Sequence, residues 1–195
     1  MEDIYGNHLE EMEATLSVFV QRVKELRSEM SSESELDPIE HILARIKSDK
    51  SMRLKLRSRG LPETTEAALH QVHDAMGVRI VCGFLSDVYE TRDRIATLPG
   101  YEVVEERDYI RHAKPNGYRS YHMILRTAEG YLIEVQLRTI SMDTWAALEH
   151  HLQYKKQHVG NQRLIVQELK RCADELASTD VSMQTIRDMI LNERD

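Results

Sequence analysis

A run of alternating side chains at residues 131–138 (YLIEVQLR) constrains the fold more than any other segment. Strict alternation of apolar and polar residues predicts a strand with one face in a core and the other carrying Glu134, Gln136 and Arg138. A solvated surface strand could show the same pattern, but residues 114–122 (KPNGYRSYH) indicate a turn followed by a second alternating strand. Two such strands, paired, would line a cleft with a carboxylate, an amide, a guanidinium, an imidazole and an aromatic ring. That inventory suits chemistry on a charged, ring-bearing substrate.

The length and composition indicate a single soluble domain. At 195 residues the chain can form one well-packed core with helical extensions, but it is short for two catalytic domains. Its two cysteines, Cys82 and Cys172, lie in apolar or helical patterns, which favours buried, reduced thiols over a disulfide. No run approaches the roughly 20 apolar residues of a membrane span, and the N-terminus is acidic and amphipathic rather than signal-like. We expect a cytoplasmic protein without membrane contact.

The charge distribution is strongly uneven along the chain. A net charge of -7 argues against general binding to nucleic acid, and we expect no stable nucleic-acid partner. Between residues 45 and 59, however, seven basic residues stand against the single acidic residue Asp49. The seven are Arg45, Lys47, Lys50, Arg53, Lys55, Arg57 and Arg59. This cluster predicts a compact anionic ligand, although a solvated basic helix face would show the same run.

The periodicities predict an α/β (α+β) chain with a mixed five-stranded sheet flanked by helices. The strands are expected at 39–47, where a short helix is the alternative, and at 75–82, 101–111, 118–127 and 131–139. Helices are expected at 9–30, from residue 48 or 49 up to Gly60, at 87–98, and from 142 to the end with a break near Gly160. We divide the chain into an N-terminal amphipathic helix (1–36), a catalytic domain (37–156) and a C-terminal helical extension (157–195).

Both end helices carry an apolar face that needs a partner surface. In residues 9–30 the apolar side chains follow spacings of three and four, and the last helix shows heptad spacing from Ile165 to Ile190, interrupted only by Thr179. These faces would pack on the sheet, on each other, or at a subunit interface.

Two carboxylates stand at or on predicted central strands. Asp74 immediately precedes the strand at 75–82, and Glu134 lies within the strand at 131–139. Such carboxylates can hold Mg²⁺, a hard cation that proteins commonly bind with few carboxylates plus phosphate oxygens of the substrate. Together with the basic cluster, they predict nucleotide chemistry of the phosphoryl-transfer type.

Taken together, these segments resemble the synthetase domain of the RelA/SpoT family, and specifically a stand-alone small alarmone synthetase. The motifs that carry the resemblance are 44–47 (ARIK) with Lys55 downstream, 74–80 (DAMGVRI), 108–110 (DYI) leading into 114–122, 134–139 (EVQLRT), and 142–146 (MDTWA) through Glu149 and His150. The match spans roughly residues 38–156. It implies a nucleotidyltransferase-like synthetase fold and a (p)ppGpp synthetase of the stringent response, an enzyme that moves the β,γ-pyrophosphate of ATP to the 3′-hydroxyl of GDP or GTP and releases AMP.

The resemblance implies a role for each donor-side residue. Arg45 and Arg79 would sandwich the adenine of ATP, because a planar guanidinium can stack on a ring while remaining charged. Three further basic residues would hold the triphosphate: Lys47, Lys55 and Arg59. The sequence leaves open whether Arg57 or Arg59 makes the last of these contacts.

On the acceptor side, the resemblance assigns Tyr118 to stack on guanine, with a buried cross-strand pair with His122 as the alternative. The residues that would meet acceptor or transferred phosphates or orient the acceptor are Lys114, Asn116, Arg119, His122 and Gln136. At the reacting centre, Asp74 would coordinate Mg²⁺, and Glu134 would share the metal, take the proton of the 3′-hydroxyl, or both, with His122 beside them. Small synthetases of this type commonly form homotetramers.

The sequence departs from the family pattern at two places, and two alternative functions are considered. Ala44 stands near the donor where the family often has glycine, and we expect activity to survive this small change. The hairpin between the last two strands is short, whereas many relatives carry a longer insertion, so the preference among GMP, GDP and GTP is not defined. His73 and Asp74 spell a dipeptide of metal-dependent hydrolases, but the other ligands of such a site are lacking, and we do not expect hydrolysis. The alternatives are a pyrophosphokinase that modifies the 3′ end of tRNA and arrests translation, or a nucleotide-binding regulator without catalysis.

Overall fold

A computed structural model describes residues 3–34, 36–156 and 161–192, except the side chains of 153–156. Five strands and six helices occupy these ranges. The strands are β1 (Ile39–Ile46), β2 (Met76–Cys82), β3 (Tyr101–Asp108), β4 (Tyr121–Thr127) and β5 (Leu132–Thr139). The helices are α1 (His8–Glu33), α2 (Asp49–Ser58), α3 (Thr65–His70), α4 (Leu85–Ala96), α5 (Ile140–Lys156) and α6 (Gln162–Asn192). The predicted break near Gly160 lies outside the described residues.

The strands form one mixed sheet in the order β1-β2-β5-β4-β3. β2 and β5 run parallel, and the other three neighbouring pairs are antiparallel. The predicted mixed five-stranded sheet is therefore confirmed, and residues 39–46 form a strand rather than a short helix. The parallel pair places Gly77 of β2 beside Glu134 of β5, so the Glu134 carboxylate lies on the middle strand of the sheet.

Strand β3 ends three residues earlier than predicted, and strand β4 begins three residues later than predicted. β3 ends at Asp108, whose Oδ1 accepts hydrogen bonds from the backbone nitrogens of Ile110 and Arg111, both at 2.9 Å. These bonds turn the chain out of the sheet. Gly117 in the following loop has φ 93°, and a Cβ there would lie 2.7 Å from Cβ of Ala173 in α6. The loop is thus packed closely against α6, and only glycine fits at this position.

One face of the sheet is apolar and is covered by α1 and α4. Alternate residues of β2, β4 and β5 on this face are buried together with the apolar stripe of α1, which comprises Met12, Leu16, Phe19, Val23, Leu26 and Met30. Phe19 is fully buried, and its ring meets the edge of Tyr101 at a centroid distance of 5.0 Å. Helix α1 therefore belongs to the core of the sheet, and its apolar face is used within the chain.

Helix α6 is buried only in part. Ala173 and Asp180 face α5 and the sheet, and the indole nitrogen of Trp145 in α5 donates to the backbone oxygen of Leu169 at 2.8 Å. Towards the end of α6, apolar side chains remain exposed, namely Val181, Met183, Ile186, Met189, Ile190 and Leu191. The heptad face predicted here is thus half-buried in its first half, at Ile165, Leu169, Cys172 and Leu176, and exposed in its second half.

Two smaller predictions concern cysteines and membranes. Cys82 is buried and Cys172 is partly exposed, and both are free thiols. In the ranges that the structure describes, no helix is both long enough and apolar enough to cross a bilayer.

Candidate active site

The other face of the sheet is polar, and its centre is Glu134. The strand register places Glu134 between Gly77 of β2 and Ile124 of β4, and it places Gln136 between Arg79 and His122. All of these positions alternate with core residues, so strand geometry alone brings them to one face. The residues that the alternation predicted for a cleft therefore do share one surface.

Asp74 is the second carboxylate of this surface and is held by two lysines. Its Oδ2 accepts from Nζ of Lys47 at 3.1 Å and also from Nζ of Lys55. Lys47 follows β1, and Lys55 lies in α2, which begins at the N-cap Ser48, whose side chain accepts from the backbone nitrogen of Ser51. The cap fixes the start of α2 and so sets which of its basic residues face Asp74.

Glu134 is largely buried but strongly acidic. Its Oε2 accepts from Nε2 of Gln136 at 2.8 Å, and its Oε1 lies 3.4 Å from Nδ1 of His122. Burial raises the pKa of Glu134, but the hydrogen bond and charge of His122, the bond from Gln136 and the charge of Lys55 lower it by more. The resulting pKa is about 2, so Glu134 is ionised at neutral pH.

A hydrogen-bond chain extends from His122 through Tyr118. The Tyr118 hydroxyl lies 2.8 Å from Nε2 of His122 and accepts from Nη2 of Arg138 at 2.8 Å. Nζ of Lys114 lies 4.9 Å from the centroid of the Tyr118 ring and 4.4 Å from that of Tyr109. Lys114 and Tyr118, both predicted to contact the acceptor, thus lie together. Tyr118 also pairs with His122, but in a half-buried rather than a fully buried position.

The remaining acceptor-side predictions have mixed outcomes in the geometry. Asn116 accepts the backbone hydrogen bond of Tyr118 at 3.2 Å, so it shapes the loop that carries the ring. Arg119 does not join this group, because its guanidinium donates to the backbone oxygen of Ala173 at 3.3 Å and to Asp174 at 2.9 Å. Arg119 lies in the loop before β4, and its side chain faces α6, which supplies its partners.

Two adjoining cavities open on the polar face, and they share Asp74 and Glu134. The first, of about 170 Å³, is further lined by Lys55, Arg59, His73, Glu105, Arg107, His122 and Ile124. The second, of about 210 Å³, is further lined by Leu43, Ala44, Arg45, Lys47, Gly77, Val78, Arg79 and Gln136. We call them the first lobe and the second lobe. A substrate in either lobe would contact both carboxylates.

The lobes also bear on the choice between Arg57 and Arg59. Arg59 lines the first lobe, whereas Arg57 forms an ion pair with Glu63 and is not part of either lining. The α-helical spacing explains the difference, since Lys55 and Arg59 are four residues apart and share a face, while Arg57 lies about 160° away from Arg59.

Several residues at this site were not predicted from the sequence. His73, Glu105 and Arg107 line the first lobe, and Asp143 in the first turn of α5 contacts Arg79 and Arg138. The alternation of β3, which places residues 105 and 107 on one face, could have identified two of them. Asp143 is harder to identify, because Arg138 precedes it by only five residues but Arg79 lies on β2, far from it in the sequence.

Asp74 and Glu134 fit a divalent cation, judged from the site itself. Oδ1 of Asp74 is buried and has no hydrogen-bond partner among the described residues, although a buried carboxylate oxygen ordinarily has one. No group of three or more acidic, histidine or cysteine side chains in the described ranges forms a metal site. A cation held here would therefore depend on the oxygens of a substrate, which is the usual arrangement for Mg²⁺ with phosphates.

Comparisons with known proteins identify the family of the chain. A region found in RelA / SpoT proteins matches residues 44–159. GTP pyrophosphokinase YwaC of Bacillus subtilis (strain 168) is 38% identical over 158 residues, which cover 77% of this chain and 75% of that protein. The crystal structure of small alarmone synthetase 1 from Bacillus subtilis bound to its product pppGpp superimposes with a TM-score of 0.80 at 28% identity, covering 92% of this chain and 94% of that one. The same synthetase bound to AMPCPP gives a TM-score of 0.74 at 26% identity, with 93% and 94% covered.

The polar sheet face, its paired carboxylates and its basic rim define a nucleotide-dependent transferase. The chain belongs to the RelA/SpoT family and, within it, to the small alarmone synthetases. The predicted family, the predicted fold and the predicted enzyme class, GTP pyrophosphokinase, are confirmed.

Proposed function

We propose that the chain transfers the β,γ-pyrophosphate of ATP to the 3′-hydroxyl of GDP or GTP and releases AMP. It is a (p)ppGpp synthetase, as predicted. The observation that supports the residue roles is that Asp74 and Glu134 line both lobes, so donor and acceptor phosphates could meet at one pair of carboxylates. In the reaction, the 3′ oxygen bonds to the β-phosphorus, and the bond from that phosphorus to the oxygen bridging the α-phosphate breaks. AMP leaves with that oxygen, and the hydroxyl proton is released.

The second lobe suits the adenine of ATP. Arg45 lies opposite Gly77 and Leu43 lies opposite Arg79, so the two arginines are diagonal neighbours on adjacent antiparallel strands. Diagonal neighbours are about 7–8 Å apart, which is the separation that one flat ring needs between two stacked planar groups. The solved relative bound to AMPCPP, an ATP analogue, supports an ATP donor for this chain as well.

The phosphates of the donor would extend from this ring towards Asp74. Lys47 and Lys55 both contact Asp74, and Arg59 lies further along the first lobe. When phosphates and a cation enter, the lysines have a new anionic partner, so the Asp74 oxygens become available to the metal. Arg59 is in position to hold the end of the triphosphate.

The acceptor guanine would stack on Tyr118, whose ring stands beside Lys114 and His122. Gln136 would orient the acceptor, because its amide lies between Arg138 and Glu134. Arg119 is bound to α6, so a contact with acceptor phosphates would require it to leave Asp174. The pppGpp bound to the solved relative is consistent with a guanine nucleotide at this side.

We infer that Mg²⁺ is the cofactor, held by Asp74 and Glu134. When bound, it would neutralise phosphate charge and polarise the phosphorus that is attacked. The pKa of Glu134 supports a role as a metal ligand more than as a general base, because a base works best with a pKa near the operating pH.

We also infer a homotetramer in the cytoplasm. The exposed apolar end of α6 offers a surface for subunit contacts, whereas α1 does not, because its apolar face is buried in the core. Light scattering on the full chain would test this, and a monomeric mass would contradict it. The free thiols of Cys82 and Cys172 are consistent with a reducing compartment.

A tRNA acceptor would require a basic track beyond the donor site, and α6 offers little of one. Lys170 pairs with Asp174, and Arg171 pairs with Glu168 and Glu175, so acidic neighbours offset their charges. Lys155 and Lys156, which would extend such a track, lie outside the described side chains. A regulator without catalysis is disfavoured by the two intact carboxylates.

The proposed function is tested by incubating the protein with ATP labelled in the β- or γ-phosphate, Mg²⁺, and separately GMP, GDP, GTP or deacylated tRNA. We expect label on a guanine nucleotide with equimolar AMP, and loss of both with Glu134→Gln. Glu106→Gln is the matched control, because Glu106 pairs with Arg92 away from the cleft. Label on tRNA alone, or no transfer to any acceptor, would contradict the proposal. The yields with GMP, GDP and GTP would rank the acceptors.

A further inference from the structure

Asp143 lies between Arg79, on the side proposed for adenine, and Arg138, on the side proposed for guanine. It lies in the first turn of α5, where its Oδ1 accepts from Nη1 of Arg79 at 3.2 Å and from Nη1 of Arg138 at 2.9 Å. Nε2 of His41 is 4.0 Å from its other oxygen. The Asp143 side chain is 17% exposed and that of Arg138 is 5% exposed, so these charges meet in a largely dry setting.

Arg138 transmits this contact to the acceptor side. Its Nη2 donates to the Tyr118 hydroxyl and to Oε1 of Gln136, both at 2.8 Å. Arginine has no acceptor, so the Tyr118 oxygen must accept from Arg138 and is free to donate its own proton to His122. Likewise Gln136, with its carbonyl on Arg138, must turn its amide nitrogen towards Glu134, which it reaches at 2.8 Å. The direction of every hydrogen bond from Arg138 to Glu134 is thereby set.

Arg79 connects the same carboxylate to the donor side. It lines the second lobe, and burial together with the nearby charge of Arg138 lowers its pKa, while Asp143 raises it. Two guanidinium groups side by side repel each other unless an anion lies between them. Asp143 is that anion, and it occupies both with one oxygen.

Building on the proposed function, we propose that Asp143 is a positioning residue that holds the adenine-side Arg79 and the guanine-side Arg138 in place with one carboxylate. It touches neither substrate directly and acts through these two arginines. Removing its charge therefore weakens binding of both the adenine nucleotide and the guanine nucleotide.

Asp143→Asn tests this, because asparagine keeps the shape and loses the charge. Calorimetric titration with AMPCPP and, separately, with GDP gives dissociation constants that do not depend on transfer. We expect both to rise about tenfold, the equivalent of one lost charged hydrogen bond. Asp143→Glu should recover part of each loss. Arg138→Lys should raise the constant for GDP alone, since lysine cannot hold Tyr118, Gln136 and Asp143 together in one plane.

Glu106→Gln is the matched control, because it also removes a carboxylate from an arginine pair, with contacts of 2.6 Å to Arg92, but away from the cleft. It should leave both dissociation constants unchanged. A purely structural role for Asp143 would lower the midpoint of urea unfolding without changing either constant, and that result would overturn the proposal. A rise in one constant only would also overturn it. A wild type that binds both nucleotides but transfers no label would refute the proposed function and leave this test intact.

Discussion

The strongly acidic Glu134 predicts a specific pH dependence of folding stability. Its pKa in the folded chain is about 2, against 4.5 for an ordinary glutamate. A carboxyl group with a lowered folded-state pKa stabilises the fold above its unfolded pKa, and that stabilisation is lost as the pH falls towards the folded value. The wild type should therefore lose stability in acid that a Glu134→Gln variant does not lose.

The size of this loss follows from the two pKa values. Linkage gives a loss of about 1 kcal/mol on acidification to about pH 4 and about 2 kcal/mol to about pH 3, relative to neutral pH. Other carboxylates titrate in both proteins, so they cancel in the difference. The measurement therefore runs over the interval between about pH 5 and about pH 3.

Urea unfolding followed by the fluorescence of Trp145, the single tryptophan of the chain, measures the free energy at each pH. The difference in unfolding free energy between wild type and Glu134→Gln should change by about 2 kcal/mol across this interval, in the direction that disfavours the wild type in acid. Parallel curves would show that Glu134 titrates like an ordinary glutamate. In that case the contacts from His122, Gln136 and Lys55 would not hold it ionised, and the case against a general base would fail.

Three further pairs of substitutions test the core and the two substrate sides. Phe19→Ala should lower the free energy of urea unfolding by about 3–5 kcal/mol, because Phe19 is fully buried against the sheet, whereas Val18→Ala, at a residue 57% exposed on the same helix, should change it by less than about 0.5 kcal/mol. Arg59→Met should raise the KM for ATP about tenfold, and Arg57→Met should leave it within about twofold, since of these two arginines only Arg59 lines the first lobe. Tyr118→Leu should raise the KM for the guanine nucleotide about tenfold or more with little change for ATP, and Tyr118→Phe should retain most of the affinity because its ring still stacks.

The alternation of the strands carried most of the correct predictions. Period-two patterns located β5 and its polar face, and they correctly placed Glu134, Gln136 and His122 on one surface. The family motif, and not the strand period, assigned Arg119 to the acceptor, and in the structure the guanidinium of Arg119 pairs with Asp174 of α6. A residue role taken from a motif thus needs to be checked against the face on which the residue lies.

The surfaces that cover the two end helices depend on tertiary packing, which the local sequence pattern does not show. An amphipathic stripe does not show which surface will cover it, so α1 and α6 looked alike in sequence, although α1 is buried on the sheet and α6 remains half open. Asp143 escaped prediction for a related reason. Its partner Arg138 precedes it by only five residues, at the end of β5, but its other partner, Arg79, lies on β2, which only the sheet order brings beside the start of α5.

The acidity of Glu134 bears on how such a site can be catalytic. Burial by itself would raise its pKa and make it a better base, yet His122, Gln136 and Lys55 together reverse that effect. Transfer of phosphoryl groups passes through a loose transition state in most analyses, so positioning and charge neutralisation contribute more than proton abstraction. A carboxylate that stays ionised and fixed by two neighbours serves that purpose, because it can hold a cation throughout the reaction. The surrounding residues therefore keep Glu134 ionised, which suits it to hold a cation rather than to accept the proton of the 3′-hydroxyl.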